Sequence, residues 1–316
     1  QALAAFTAAG NVSGQSAIYN NLALAYRALG LYRRSDRMAL SALDIRRRLG
    51  DITSVSNLYA ILSGNANLAR QFDAAWAWTD ELAAVLPEVE DPAYHRSLPW
   101  GRGSTLLAQG DAAGALPLLE EAVRLTAATS AGEGFLVLMQ TQLAEAHLLL
   151  GDAPAALACT TRATAMHNAR EQASLGAGRS PAWIWHQHYR ALAANGRGAE
   201  AEAALQRAYG LLLDSMHGLS DAGLRRSYLN KMPDHPPLLA DWLALARRKR
   251  LPRARWVRRG TVRGVARGSS SRGASTRPAA GRPWPGLRAG AIAETRSRAP
   301  RSRHLRSTCR RPESAA

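Results

Sequence analysis

The sequence predicts an all-α protein that folds as a right-handed superhelical solenoid of helical hairpins. First, a glycine-type turn recurs at intervals of 40, 40, 41 and 45 residues, each time between two apolar segments with helical periodicity. Second, small residues recur at fixed positions after each turn. Third, alanine is abundant, β-branched residues are sparse and aromatic residues make up only 6% of the chain, which favours helix over sheet.

Five turns divide the chain into repeats. Glycine accepts the left-handed backbone conformation that ends a helix, so a glycine between two apolar helical segments indicates a hairpin. In the second repeat an arginine, Arg70, stands at the glycine position. We therefore expect five hairpins over residues 16–213. Their turns begin at Gly30, Arg70, Gly110, Gly151 and Gly196.

The first repeat shows the apolar pattern most clearly. Its second helix offers Met38, Ala42 and Ile45 at helical spacing. A single hairpin cannot cover its own apolar face, so each repeat has to pack on its neighbours. The predicted apolar face of the first helix consists of Ile18, Leu22, Ala25, Tyr26 and Leu29.

Small residues in the second helix of each hairpin allow its two helices to approach closely. The residue seven positions later is alanine in four of the five repeats. Among the larger residues, we expect Leu22, Tyr26, Leu143 and Leu205 to be buried between helices. The two series of positions are Ser35, Ala75, Ala115, Ala156 and Ala201, followed by Ala42, Leu82, Ala122, Ala163 and Ala208.

These residues resemble a known family. The segment NLALAYRALGLYRRSDRMALSALDI, residues 21–45, resembles a tetratricopeptide repeat (TPR), and residues 144–166 and 191–209 match the same pattern. The resemblance covers residues 1–213, although the period exceeds the family's usual length of about 34. The longer period is similar to the MalT-like repeat regions of bacterial multidomain signalling proteins. The resemblance implies a protein-interaction module without catalytic activity, the partner-sensing region of a larger bacterial signalling or regulatory protein.

The family's groove positions imply a candidate partner-binding surface on the inner, concave face of the first helices. Asparagine and arginine there are suited to a peptide backbone or a carboxylate. A merely solvated face is the alternative for each residue. The candidate residues are Asn20, Leu24, Arg27, Asn67, Thr141, Glu145, His186 and Arg190.

The ends of the chain differ from the repeats. We expect residues 1–15 to be the end of a truncated preceding repeat. Residues 214–250 are predicted to form capping helices, with Ser220 as an N-cap and Leu224 and Tyr228 on an apolar stripe. Residues 251–316 are predicted to be a disordered tail.

Most of the positive charge lies in that tail. The net charge of the chain is +17, and residues 251–316 contribute 17 arginines and two glutamates, which is 17 − 2 = +15. The remaining +2 gives the body no electrostatic reason to bind nucleic acid. Residues 251–316 also lack lysine, aspartate, asparagine, glutamine, phenylalanine, tyrosine and methionine. A frameshift product, an arginine-rich nucleic-acid arm and a flexible linker remain as interpretations.

No residue pattern indicates chemistry, so we expect no enzyme activity, cofactor or metal. His186 and His188 are two positions apart, which on a helix directs them away from each other. Cys159 and Cys309 are too few for a disulfide framework or a zinc site. No apolar run is long enough to span a membrane. Together with the small number of cysteines, this predicts a cytoplasmic protein. Its expected partner is a protein, a peptide or another domain of its own chain.

Overall fold

The computed structural model describes residues 2–129, 133–169 and 179–251. The predicted tail therefore lies outside the described residues, apart from Leu251. The helices in the described ranges are α1 (Ala2–Ala8), α2 (Val12–Ala28), α3 (Tyr32–Arg48), α4 (Ile52–Leu68), α5 (Phe72–Val85), α6 (Ser97–Gln109), α7 (Ala112–Ala127), α8 (Glu133–Leu149), α9 (Ala153–Ala169), α10 (Pro181–Ala194), α11 (Gly198–His217), α12 (Ala222–Lys231) and α13 (His235–Arg248).

The predicted all-α solenoid of hairpins is confirmed. Five hairpins follow one another: α2 with α3, α4 with α5, α6 with α7, α8 with α9, and α10 with α11. The second helix of each hairpin also packs on the first helix of the next one. Two short 3-10 turns, Leu86–Glu88 and Pro92–Tyr94, connect α5 to α6. No β-strand is present in the described parts of the chain.

All five predicted turns adopt the left-handed backbone conformation. The φ angle is +68° at Gly30 and +93° at Gly110, and it is also positive at Gly151 and Gly196. Arg70 follows the same rule, with a φ of +57°, although its side chain makes this conformation costly. The repeat therefore dictates the backbone at this position even where the residue is unfavourable.

The small residues lie where the two helices of each hairpin cross. All ten positions of the two predicted series are buried, and only Ala201, at 2%, is accessible at all. The hydroxyl of Ser35 donates to the backbone carbonyl of Ala23 at 2.7 Å, which shows how closely α3 approaches α2. Polar and apolar small residues thus serve the same close packing.

The predicted apolar face of α2 is partly wrong. Leu22 and Tyr26 are only partly buried and Ala25 is exposed, whereas Ala23 is fully buried. The most buried face of α2 is thus turned towards Ala23, because the small residue is the one that fits against Ser35. Farther along the chain, Leu143 (6% exposed) and Leu205 (1%) are buried as predicted.

Helices α12 and α13 pack against the last hairpin. The rings of Tyr209 in α11 and Trp242 in α13 stack at 4.3 Å, and Met232 and Leu238 are fully buried nearby. The N-cap of α12 is Asp221, whose carboxylate accepts from the backbone N–H of Leu224, and not Ser220 as predicted. A carboxylate at this position also interacts favourably with the helix dipole.

Candidate functional site: a cavity among the first helices

The first helices of the hairpins surround a common cavity of about 150 Å³. Helices α2, α4, α6 and α8 each contribute to its wall, and the residues at the start of α10 complete it. The side chains that matter most below are Leu24 and Arg27 from α2, Asn57 and Asn67 from α4, Arg96 and Trp100 at α6, Phe135 from α8, and Arg179 and Trp183 at α10.

Arg27 is a cation without a partner in the described parts of the chain. Its Nε atom is inaccessible to solvent and makes no hydrogen bond. Burial and the positive charge of Arg179 lower the pKa of Arg27 to about 10, although Tyr32 and Asp36 oppose this at longer range. The guanidinium lies against Gly64 of α4, where a Cβ atom would collide with it. The absence of a side chain at Gly64 therefore makes room for Arg27.

Two further arginines stand on aromatic rings in the cavity wall. The guanidinium of Arg96 lies 4.6 Å from the ring centre of Phe135, and that of Arg179 lies 4.2 Å from the ring centre of Trp183. Trp100 meets Phe135 edge to face, with the ring centres 5.7 Å apart. The wall thus combines guanidinium groups with aromatic rings, an arrangement in which each stabilises the other.

Among the described residues, the cavity wall carries positive charge and no negative charge. No aspartate or glutamate is among the described residues that line it. The carboxylate nearest to these arginines is that of Asp234, which pairs with Arg179 at 2.6 Å from outside the wall. Asp91 acts on Arg96 only at longer range, and burial, as the largest cause, lowers the pKa of Arg96. Arg27 and Arg96 thus face the cavity uncompensated by direct ion pairs.

Polar atoms in the wall also lack partners. The side-chain oxygen Oδ1 of Asn67 and the indole N–H of Trp183 are buried without a hydrogen bond. By contrast, Gln142 is fully engaged, because it accepts from the indole N–H of Trp100 and donates to the hydroxyl of Ser104 at 2.9 Å. Buried polar groups usually find partners, so these atoms are left for an ordered water or a bound molecule to satisfy.

Of the predicted concave-face residues, four lie at or beside the cavity. Leu24, Arg27 and Asn67 line it. Asn20 accepts a hydrogen bond from the lining residue Asn57 at 3.4 Å. All four come from the first two hairpins, so the mapping brings this group together.

The other four predicted residues lie in the last two hairpins, and Thr141, His186 and Arg190 have hydrogen-bond partners within the chain. Thr141 is fully buried, and its hydroxyl donates to the carbonyl of Val137. His186 is 2% exposed, and its Nε2 lies 2.7 Å from the carboxylate of Asp241 in α13. Burial raises the pKa of Glu145. Arg190 donates to Gln187 at 3.1 Å on its own helix.

Sequence reasoning missed the arginines and aromatic residues of the wall. A signal existed, because the segment RSLPW at 96–100 recurs as RSPAW at 179–183. Each places an arginine four residues before a tryptophan at the start of a first helix. The two segments are two repeats apart, and the structure brings both to the same cavity.

The candidate metal and thiol residues are explained by packing. His186 contacts Asp241, whereas Nδ1 of His188 lies 2.9 Å from the hydroxyl of Thr160, so the two rings have different surroundings. In the described ranges, no group of three or more potential metal ligands comes together. Cys159 is buried, and burial raises the pKa of its thiol. None of the helices described is long and apolar enough to cross a membrane.

Comparison with known proteins supports the repeat assignment. The family model "Tetratricopeptide repeat" matches residues 16–49, which cover most of α2 and all of α3. A search of curated proteins found none that matches. The chain is similar in structure to BtubC from P. vanneervenii, with 16% identity, a TM-score of 0.49, and coverage of 66% of this chain and 84% of that one. It is also similar to a putative kinesin light chain with nearly identical TPR-like repeats from Podosopora anserina, with 18% identity, a TM-score of 0.44, and coverage of 65% and 98%. At these values, nothing about function follows from either likeness.

The matched family and the observed hairpins define the class of protein. It is a helical-repeat protein in which residues 16–49 match the tetratricopeptide-repeat model and four further hairpins of similar build follow. Repeats of this class support a role in protein–protein interaction.

Proposed function

We propose that this chain is a protein-interaction scaffold and that its partner binds the inner surface of the first two hairpins. One observation carries the proposal: the two halves of the inner face differ in what covers them. Around α2 and α4, Asn20, Arg27 and Asn67 are partly exposed. Around α10, the chain's own α13 occupies the surface, because Asp241 binds His186 there.

The partly exposed inner surface around α2 and α4 suits a partner with hydrogen-bonding and acidic groups. Asparagine offers both donors and an acceptor to a peptide backbone, and arginine binds carboxylates in two-fold geometry. Leu24 adds a partly buried apolar contact between them. Such a mixture of an apolar centre with polar groups is typical of protein interfaces.

We further propose that the chain acts without catalysis, in the cytoplasm, as the partner-sensing region of a larger bacterial signalling or regulatory protein. The support for this context is the period of 40–45 residues. In this proposal, residues 16–213 form the repeats and residues 214–250 the cap that closes them. Recognition rather than chemistry is the work expected of such an array.

A peptide-display experiment tests the scaffold proposal. The full chain is panned against a random peptide library, and dissociation constants of the enriched peptides are measured by fluorescence anisotropy. We expect Asn20→Ala to weaken the selected peptides by roughly five-fold or more, the cost of one lost hydrogen bond. Arg37→Ala, an exposed change on α3, is the matched control and should leave affinity unchanged. Equal effects of the two changes would place the partner elsewhere.

Nucleic-acid binding is the second candidate, and the charge of residues 251–316 favours it. Seventeen arginines would release counterions on binding phosphates, so affinity would fall steeply with salt. The full chain and a chain ending at residue 250 are compared against labelled duplex DNA. If this second candidate is right, only the full chain binds. If the shorter chain also binds DNA at 150 mM salt, the repeats themselves attract phosphates despite their net charge of only +2. That result would contradict the proposal that residues 251–316 carry the binding.

A further inference from the structure

We propose that the cavity among the first helices is a binding site for a small organic anion, a compact aromatic or planar body that carries one carboxylate. The proposal goes beyond the scaffold function, because its ligand is a free small molecule and not a segment of a partner. Three features of the wall support it: its charge, its size and apolar character, and its unpartnered polar atoms.

The positive charge of the wall favours an anionic ligand. Arg27 and Arg96 face the cavity and form no ion pair in the part of the chain that the structure describes, while Arg179 is held by Asp234 at 2.6 Å. A partly buried cation without an ion pair is disfavoured, and a carboxylate from a ligand would relieve this. The planar guanidinium of Arg27 can bind both oxygens of a carboxylate at once.

The size of the cavity sets the size of the ligand. A volume of about 150 Å³ matches an apolar cavity known to hold one benzene molecule. The rings of Trp100, Phe135 and Trp183 supply flat apolar surface beside the guanidinium groups. One ring-sized body therefore fits.

The unpartnered atoms lie on the same wall. The indole N–H of Trp183 is a buried donor without an acceptor, and Nε of Arg27 is another. Both atoms are closed to solvent, so a carboxylate in the cavity would bring negative charge near these donors rather than accept from them directly. The oxygen Oδ1 of Asn67 is likewise a buried acceptor without a donor.

A partner's acidic side chain is the other source of the same carboxylate chemistry, and the experiment separates the two. Full-length protein is titrated with sodium benzoate, and binding is measured by isothermal calorimetry and by tryptophan fluorescence. Benzamide keeps the ring without the charge, acetate keeps the charge without the ring, and the tetrapeptide Gly-Gly-Asp-Glu represents a partner's acidic end.

We expect one benzoate to bind per chain, more tightly than benzamide or acetate. Arg27→Met should weaken benzoate by roughly 10- to 150-fold, the range for a lost charged hydrogen bond. Arg33→Met removes the same charge from an exposed site on α3 and should change nothing. A second variant, Gly64→Ala, keeps the arginine but displaces its guanidinium, because the new Cβ occupies its place. It should also weaken benzoate, and circular dichroism checks that each variant is folded.

The proposal is overturned if benzoate does not bind the full-length protein at millimolar concentration, if benzamide binds equally well, or if Arg27→Met and Arg33→Met behave alike. Tetrapeptide binding that depends on Arg27, without benzoate binding, would also overturn it. That outcome would assign the cavity to a partner's acidic residue and would leave the scaffold function standing. Conversely, benzoate binding without any selected peptide would uphold the cavity site while the scaffold proposal fails.

Discussion

Leu143 is a sensitive test of how the repeats hold one another. Its side chain is 6% exposed and belongs to a cluster that joins α6, α7, α8, α9 and α10. Replacing leucine with alanine removes about three carbon atoms, and at roughly 0.8 kcal/mol per buried group this amounts to about 2.4 kcal/mol. The cavity left behind adds to this loss. We therefore expect Leu143→Ala to lower the free energy of unfolding by about 3 kcal/mol.

The same helix provides the control. Leu149 lies at the end of α8 with 53% of its surface exposed, so Leu149→Ala should lower the free energy of unfolding by less than about 1 kcal/mol. Urea unfolding followed by circular dichroism measures both variants. Equal losses would refute the reasoning, because they would show that burial among neighbouring repeats does not set the energy at Leu143.

Two further predictions concern the turns and the effect of pH. Gly110→Ala and Gly210→Ala both add a methyl group into open space, but Gly110 has a φ of +93° whereas Gly210 is inside α11. The first should lower the free energy of unfolding by about 1 kcal/mol and the second should raise it by up to about 1 kcal/mol, as measured by urea unfolding; the same sign for both would contradict the left-handed turn. His235 is fully buried, and burial lowers its pKa, so the native state binds fewer protons than the unfolded state just below pH 6.5. Stability should therefore fall as pH drops from 8 to 5, by at most about 1.4 kcal/mol per pH unit for this proton, and His235→Asn should flatten the profile relative to wild type. Identical profiles would show that another group controls the dependence.

The fold could be predicted from the sequence because the same pattern, a turn followed by small residues at fixed positions, recurs in each of the five repeats. A weak signal at one turn, such as Arg70, is supported by four glycines at equivalent positions. The left-handed conformation of Arg70 shows that the neighbouring hairpins impose the turn even on an unfavourable residue. The rotation of α2 was harder to predict, because Leu22 and Ala23 fit a helical pattern almost equally well. The contact with Ser35 decides between them, and that contact is tertiary.

The candidate site was predictable only in its first half. Arg27 and Asn67 occupy equivalent positions in successive repeats, and Leu24 lies one turn before Arg27, so mapping the groove brought them together. Arg179 reaches the same cavity from more than 150 residues away, through the way the hairpins stack. The two ends of the array also meet, because the hydroxyl of Tyr32 in the first hairpin donates to the carbonyl of Lys231 in α12 at 3.2 Å. The spacing of apolar residues does not predict such long-range contacts, because these contacts depend on the angle between successive repeats.

The lack of a partner for Arg27 leads to a last prediction, in which stability and binding change in opposite directions. Burial lowers the pKa of Arg27 to about 10, which means that the folded protein disfavours the charged form. Methionine has similar length and no charge, so Arg27→Met should raise the free energy of unfolding by about 1 kcal/mol, the low end of the cost of an unpaired buried polar group, because Arg27 is partly exposed. Arg33→Met, exposed on α3, should leave stability within about 0.5 kcal/mol of wild type. Urea unfolding measures both variants. A residue kept for packing would destabilise the protein when replaced, so a clear loss of stability in Arg27→Met would contradict the view that this cation is held in place for a ligand.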